Sequence, residues 1–288
     1  MTEQAKGVLT PKSSPSKSQD PKAESSAVAP RASRGDIITG SFADEMEAMA
    51  GAGLENVTAK DLLIPRIAIL QSLSYQLQRT RPQFMPDAKK GMFCDVGLNE
   101  LLDSPLTVVP VYFITQYLEW LPGRKGLAGI HDDPSILAAA TPNEKRQPVL
   151  PNGNLIQETA QFYSLLPDVD MRRCFIPMAS TQLKKARTWN TYATSEKLKR
   201  RNGEDFTPPM FYRSYKLTSV PESNDSGEWD GWKIERDKPI EQMENGVEIF
   251  KAARDFLESI VAGRTKADLA SMANEPEIVG SSSTKDAM

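Results

Sequence analysis

The middle of the chain carries short apolar stretches separated by polar turns, a pattern typical of β-strands. Residues 210–220, MFYRSYKLTSV, alternate apolar and polar positions and predict a half-buried strand. The turn cluster PESNDSG follows, and EWDGWKIE, residues 228–235, predicts the returning strand of a hairpin. Three more strands are predicted from stretches rich in apolar and aromatic residues: PLTVVPVYFITQYLEW (105–120), NLIQETAQFYSLLP (154–167) and RRCFIPMAST (172–181).

Prolines indicate where this predicted sheet is interrupted or ends. Pro65 lies inside LLIPRIAILQ, residues 62–71, which therefore predicts an extended edge segment. Pro110 predicts an edge position or a bulge within residues 105–120. Because the strands are short and no helices alternate with them, the pattern favours an antiparallel sandwich or barrel over a parallel α/β sheet. The predicted fold class is mainly β (α+β).

A long amphipathic helix is predicted near the C-terminus. Between Asn245 and Ala262 an apolar stripe recurs at helical spacing, and the glycine that follows is a natural stop. We expect this helix to cover the open side or end of the β-domain, with Phe250, Phe256 and Leu257 buried. The main alternative is a helix that pairs between subunits, which would make the protein a homodimer.

A short acidic helix is predicted near the start of the folded part. Ser41 can cap it, Asp44 lies in its first turn, and Phe42, Met46 and Met49 fall on one face. This acidic helical segment, residues 37–60, either docks on the domain or extends freely from it.

Composition divides the rest of the chain into four parts. Residues 1–36 and 264–288 lack core-forming residues and predict disordered tails. Residues 61–239 form the predicted β-domain, and residues 240–263 the C-terminal helix. Within the β-domain, the Pro- and Gly-rich residues 121–153 predict a long functional or mobile loop.

The charge balance and cysteine usage indicate a cytoplasmic protein. The 288 residues include 35 basic and 38 acidic side chains, for a net charge of -3. No apolar run approaches the roughly 18 residues that span a bilayer, and the N-terminus has no signal-peptide pattern. The two cysteines make no disulfide framework, and each is expected to be a small core residue.

The sequence offers no recognisable active site. Its single histidine, His131, precedes a short predicted helix that begins at Pro134, and no Gly-x-Ser-x-Gly motif accompanies it. One histidine with Cys94 and Cys174, far apart in sequence, gives no zinc-ligand spacing. The glycines within residues 123–129 lack the Gly-Lys-Ser/Thr of a phosphate loop. We therefore expect no enzyme activity, no metal and no cofactor; a metal-dependent nuclease with scattered acids is the alternative.

Residues 182–203, QLKKARTWNTYATSEKLKRRNG, are the most informative stretch. They contain seven basic side chains and one acidic residue, Glu196, a local excess of six in a protein of net charge -3. The stretch is predicted to be a loop, or a short helix with loop flanks. The candidate nucleic-acid-binding residues are nine side chains of this stretch and one tyrosine of the neighbouring predicted strand: Lys184, Lys185, Arg187, Trp189, Tyr192, Lys197, Lys199, Arg200, Arg201 and Tyr212.

This combination of residues predicts binding of single-stranded nucleic acid. Lysine and arginine neutralise phosphates, and aromatic rings stack on bases regardless of their identity. The structural alternative is a solvated charged loop with Trp189 turned into the core. Basic residues in the N-terminal tail either add weak electrostatic affinity or belong to a solubilising linker.

The chain also resembles bacteriophage-encoded single-stranded DNA-binding proteins of replication and recombination modules. The resemblance covers roughly residues 61–235 and includes LLIPRIAILQ, PLTVVPVYF…EW, STQLKKARTW and PPMFYRSYKLTSVPESNDSGEWDGWKIE. It implies an OB-like antiparallel β-barrel with long loop insertions that binds DNA without sequence preference and without a cofactor, in the host cytoplasm. Replication or recombination proteins are the implied partners. The C-terminal tail departs from this pattern, because residues 264–288 hold four acids and three bases rather than a strongly acidic run.

Two other classes share some of these features. A strand-annealing recombinase would have the same basic stretch but would form rings or filaments. In a phage structural or host-interaction protein, Trp189 and the basic residues would be incidental. DNA versus RNA preference, binding-site size and oligomeric state do not follow from the sequence.

Overall fold

The computed structural model describes residues 42–57, 63–225, 227–265 and 267–274. They divide into two units at residue 49. The first contains helix α1, Ala43–Ala48, whose N-cap position is Phe42 rather than the predicted Ser41. Ser41, the predicted tail 1–36 and residues 275–288 lie outside the described ranges. None of the helices within those ranges is long and apolar enough to cross a membrane.

The second unit contains most of the secondary structure. Its helices are α2, Leu183–Thr194, and α3, Gly246–Val261. The strands that the structure describes are β1 Ile67–Ile69, β2 Phe93–Asp95, β3 Glu100–Leu102, β4 Leu106–Trp120, β5 Leu127–His131, β6 Thr141–Pro142, β7 Pro148–Val149, β8 Leu155–Leu166, β9 Arg172–Ala179, β10 Leu198–Lys199, β11 Asp205–Phe206, β12 Arg213–Asn224 and β13 Gly227–Pro239. Short 3₁₀ turns lie at Tyr75–Leu77, Pro122–Arg124, Pro134–Ala139, Ser180–Gln182, Met210–Tyr212, Ile240–Gln242 and Leu269–Asn274.

The main sheet is antiparallel and curls into a half-barrel. Its strand order is β13-β12-β4-β8-β7-β6, with β5 added to β4 and β9 added to β8. Strand β4 joins the β12–β13 hairpin to the rest of the sheet, because its residues Leu106–Val108 pair with β12 and the remainder of the strand pairs with β8. The register shifts between Pro110 and Tyr112, which is the bulge predicted at Pro110. A mainly β (α+β) fold compatible with an OB-like barrel is therefore confirmed.

The strands predicted from the sequence are present at β4, β8, β9, β12 and β13. The separate three-stranded sheet β1-β2-β3 was only partly predicted, through the edge segment that contains β1. The long stretch 121–153 is an excursion that contains β5, β6 and β7 rather than one structureless loop.

The main sheet is packed on both faces. One face holds an apolar cluster that joins β4, β8, β9 and β12 to the small sheet and to α2; its members include Phe93, Phe162 and Trp189. The other face holds a second cluster, which includes Phe175 and Phe256 and is covered by α3. Both faces of the sheet therefore contribute to close-packed apolar cores.

Helix α3 covers the sheet as predicted, although its apolar stripe is wider than the buried face. Ile249 and Phe256 are fully buried, and Leu257 is half-buried. The prediction that Phe250 is buried is wrong. Its side chain is 44% exposed and lies at the margin of the stripe, where its ring meets the ring of Phe211 edge-on at a centroid distance of 5.5 Å.

The ordered part of the chain extends further towards the C-terminus than predicted. The tail was expected to begin at residue 264, but Leu269 and Met272 are buried in the cluster beneath α3. The Thr265 hydroxyl donates to Ser259 Oγ over 2.8 Å, and Arg66 Nε donates to Ser271 Oγ over 3.2 Å. This segment is held in place by its two buried apolar side chains and by these hydrogen bonds, although its overall composition predicted a disordered tail.

Candidate nucleic-acid interface

Helix α2 forms the first half of the basic stretch and has two distinct faces. Leu183, Ala186 and Trp189 lie three residues apart and face the sheet. Lys184 and Arg187 lie on the opposite, exposed face. The hydroxyls of the threonines on this helix donate to carbonyls one turn earlier, so they contribute little free hydrogen-bonding capacity.

The stacking role predicted for Trp189 is wrong, because its side chain is 0% exposed. The indole stacks on Phe162 of β8, with ring centroids 4.2 Å apart and planes 20° apart. It also meets Tyr215 edge-on at 5.5 Å. The spacing of Leu183, Ala186 and Trp189 is helical and could have revealed this orientation, but the high polarity of the segment concealed it. Trp189 is a core residue.

A small hairpin, β10–β11, forms the second half of the stretch. Arg200 and Glu204 close it through a hydrogen bond from Arg200 N to Glu204 O of 2.8 Å. Gly203 supplies the positive φ of 88° that the turn requires. Lys197 Nζ donates to Thr207 Oγ1 over 2.6 Å, and Glu196 pairs with Arg213 of β12 at 2.6 Å. The hairpin is therefore fixed to the sheet at its base while its basic tip projects.

Two of the seven predicted basic residues are paired with acids. Lys185 lies 2.9 Å from Glu222, and Lys199 lies 3.0 Å from Asp205. The other five are exposed and have no carboxylate partner among the described residues. They constitute the basic surface of the protein: Lys184, Arg187, Lys197, Arg200 and Arg201.

Two half-buried rings lie beside this basic surface. Tyr192 packs on the core, and the Arg236 guanidinium carbon lies 4.7 Å from its ring centroid. Phe206, on β11, was missed because it follows the stretch selected from the sequence; Arg200 lies 5.1 Å from its ring centroid. Both rings combine an aromatic face with a nearby guanidinium, the arrangement that suits contact with a nucleotide.

Tyr212 lies in a different environment. It belongs to the 3₁₀ turn Met210–Tyr212 and is half-buried. Burial, and then the neighbouring negative charge of Glu241, raise the pKa of Tyr212. Tyr212 therefore lies near the 3₁₀ turn before α3, Ile240–Gln242, to which Glu241 belongs.

The remaining titratable residues singled out in the sequence have structural contacts. His131 Nε2 lies 2.8 Å from Glu119 Oε2. Hydrogen bonds from Asn154, Asn152 and His131 lower the pKa of Glu119. Cys94 and Cys174 are buried core residues, as predicted, and are not joined in a disulfide.

The fold and the site together define a mainly β protein with a basic surface on one helix and an adjoining hairpin. The family model described as Pam3 phage gp34-like protein matches residues 34–266. Because this match spans well over half of the chain, the protein belongs to that family and is a phage protein. No curated protein and no solved structure matches the chain significantly. The phage origin expected from the resemblance is confirmed, while single-stranded DNA binding stays a prediction.

Proposed function

We propose that the protein binds single-stranded DNA without sequence preference, through the basic surface on α2 and the β10–β11 hairpin. The observation that supports this most strongly is the local concentration of unpaired charge. Five exposed basic side chains lack a carboxylate partner in the described part of the chain, although the protein as a whole has a net charge of -3. In a protein of net negative charge, such a surface attracts polyanions locally, whereas the rest of the protein does not bind them non-specifically.

The chemistry of the surface suits a flexible single strand. Lysine and arginine side chains neutralise phosphates and release condensed counterions, which requires no base identity. Phe206 and Tyr192 offer aromatic area beside Arg200 and Arg236, and base stacking on such rings tolerates any sequence. The Lys199–Asp205 pair is solvent-exposed, so its opening for a phosphate would cost little.

The setting that follows from this function is phage DNA replication or recombination in the host cytoplasm. There the protein would protect or organise single strands, with replication or recombination proteins as its partners. The chain carries out no reaction in this role and needs no cofactor.

The test is a titration of the whole protein with fluorescent oligo-dT at several salt concentrations. If all five side chains of the basic surface contact phosphates, the slope of log affinity against log salt is about -3.5, from about -0.7 per contact. Replacing Arg200 and Arg201 by Ala should flatten the slope by about 1.4. Replacing the exposed Lys251 and Arg254 of α3, on the opposite face of the sheet, is the matched control and should leave the slope unchanged. Equal slopes for both double variants would contradict the proposed surface.

A further inference from the structure

A second basic and aromatic region lies in an open cleft of about 830 Å³, outside the basic surface. Its walls come from four segments that are distant in sequence. They are the turn at residues 73–78, the 3₁₀ turn at 122–124, and residues 143–149 and 153–155. The polar side chains that line it are Tyr75, Gln78, Arg124, Asn143, Glu144, Lys145 and Gln147.

The cleft lies in a basic part of the surface. The lining segments and the residues directly beside them, 73–81, 122–125, 143–149 and 153–155, contain six basic side chains and one acid, a local excess of five. The six are Arg79, Arg81, Arg124, Lys125, Lys145 and Arg146. Of these charged residues, Arg124, Lys145 and the acid Glu144 line the cleft itself. Arg79, Lys125, Lys145 and Arg146 are exposed and have no carboxylate partner within the described ranges. The excess is nearly as large as that of residues 182–203, and it arises only when the chain folds.

The cleft also contains an aromatic ring with a guanidinium beside it. Tyr75 is half-buried, and the Arg81 guanidinium carbon lies 4.4 Å from its ring centroid. Arg124, which also lines the cleft, lies over the ring of Trp120 at 4.9 Å and donates to Gln157 Oε1. These contacts fix the Arg124 guanidinium in the lining and the Arg81 guanidinium beside Tyr75, as a preorganised site for a charged ligand requires.

The cleft and the start of α2 lie at the same end of the main sheet. Leu155 lines the cleft, and Thr159, four residues or about 13 Å along β8, pairs with Ala179, after which the chain enters α2. A second connection runs through the β12–β13 hairpin. There Glu222 forms an ion pair with Lys185 of α2 at 2.9 Å. One register position along the hairpin, the backbone of Asp230 is hydrogen-bonded to the side chain of Gln71, which lies shortly before Tyr75 in the chain.

We infer that this cleft is a second contact for the same DNA strand, which stacks a base on Tyr75 and places phosphates near Lys145 and Arg146. The inference rests on the proposed function, because it assigns the cleft the same ligand. Because the cleft and the start of α2 lie towards the same end of β8, a strand of sufficient length is proposed to reach from the basic surface to the cleft. The cleft volume of about 830 Å³ leaves room for more than one nucleotide unit.

The test compares oligo-dT of about 6 nucleotides, near the lower end of the site size of about 4–16 nucleotides per OB-fold, with oligo-dT of about 30 nucleotides, which exceeds that size. For the parent protein, the longer strand should bind more tightly than its number of overlapping sites explains. Tyr75→Ala should weaken binding of the longer strand roughly 5- to 150-fold, with little change in salt slope. Tyr75→Phe keeps the ring and should bind like the parent.

A charge variant provides the second readout. Replacing Lys145 and Arg146 by Ala should reduce the salt slope for the longer strand by about 1.4. Both positions are exposed, so this variant is expected to fold even if Tyr75→Ala does not. Lys251→Ala, at an exposed position of α3 that does not line the cleft, is the control.

The outcomes separate the two proposals. If the parent binds oligo-dT but the folded Tyr75→Ala and Lys145→Ala/Arg146→Ala variants bind both strands as the parent does, the cleft inference is overturned and the proposed function stands. If the parent binds neither strand, the proposed function fails and the cleft assignment fails with it. Loss of affinity and slope for the longer strand alone supports the cleft.

Discussion

Replacing Trp189 by Ala separates a core role from a DNA-contacting role most clearly. The indole is 0% exposed and packed between Phe162 and Tyr215. Burial of a tryptophan side chain, about 150–250 Å² at about 25 cal/mol per Å², contributes roughly 4–6 kcal/mol. Its Nε1 has no hydrogen-bond partner among the described residues, so its removal gives back about 1 kcal/mol. We expect the free energy of unfolding to fall by about 3–5 kcal/mol, within the range of large core truncations.

The assay is urea unfolding followed by circular dichroism, together with oligo-dT binding at a temperature where parent and variant are both folded. Trp189→Phe should lose less stability, because a ring remains against Phe162. The folded Trp189→Ala protein should bind oligo-dT as the parent does. A variant with unchanged stability but roughly 5- to 150-fold weaker DNA binding would refute the assignment of Trp189 to the core.

Three further predictions concern the packing and the buried polar groups. Phe256→Ala should lower the free energy of unfolding by about 3–5 kcal/mol, and Phe250→Ala by less than about half of that, because only Phe256 is buried. Urea titrations measure both losses, and equal losses would contradict the packing described for α3. Arg172→Ala should lower the free energy of unfolding by about 3–5 kcal/mol, because Arg172 Nη1 lies 2.8 Å from a carboxylate oxygen of the fully buried Asp95. Burial raises the pKa of Asp95, so the folded variant disfavours the unpaired carboxylate and the loss of stability should grow as the pH rises from acid to neutral. A loss of stability that does not change with pH would count against this prediction. Burial raises the pKa of the Cys174 thiol, so a thiol-reactive dye should label Cys174 only after the protein unfolds. Rapid labelling of Cys174 in the native protein would show that this part of the core is open.

The sequence predicted those elements whose pattern is long and regular. Strands β4, β8, β12 and β13 each exceed ten residues, and their aromatic and β-branched content identified them. Strands β1, β2 and β3 have three residues each, which is too short for an alternation to be recognised. The helix α3 was predicted nearly to the residue because an apolar stripe ended at a glycine.

The candidate site was predicted in part. Charge is visible in a sequence window, so the basic residues of α2 and the hairpin were found, but their ion pairs were not. Lys185 pairs with Glu222, 37 positions away, and only the fold brings these residues together. Trp189 was misassigned because three buried positions in a polar helix give a weak periodic signal. The cleft around Tyr75 was missed because four segments that are distant in sequence form its lining.

The measurement that tests the central claim most directly compares single-stranded and duplex DNA of the same length and salt concentration. The proposed surface combines spaced basic side chains with the rings of Phe206 and Tyr192, and stacking on rings is possible only for unpaired bases. We therefore predict that oligo-dT binds more tightly than the corresponding duplex, and that the difference persists at salt concentrations where phosphate contacts are weakened. Equal affinity for the single strand and the duplex would contradict the account.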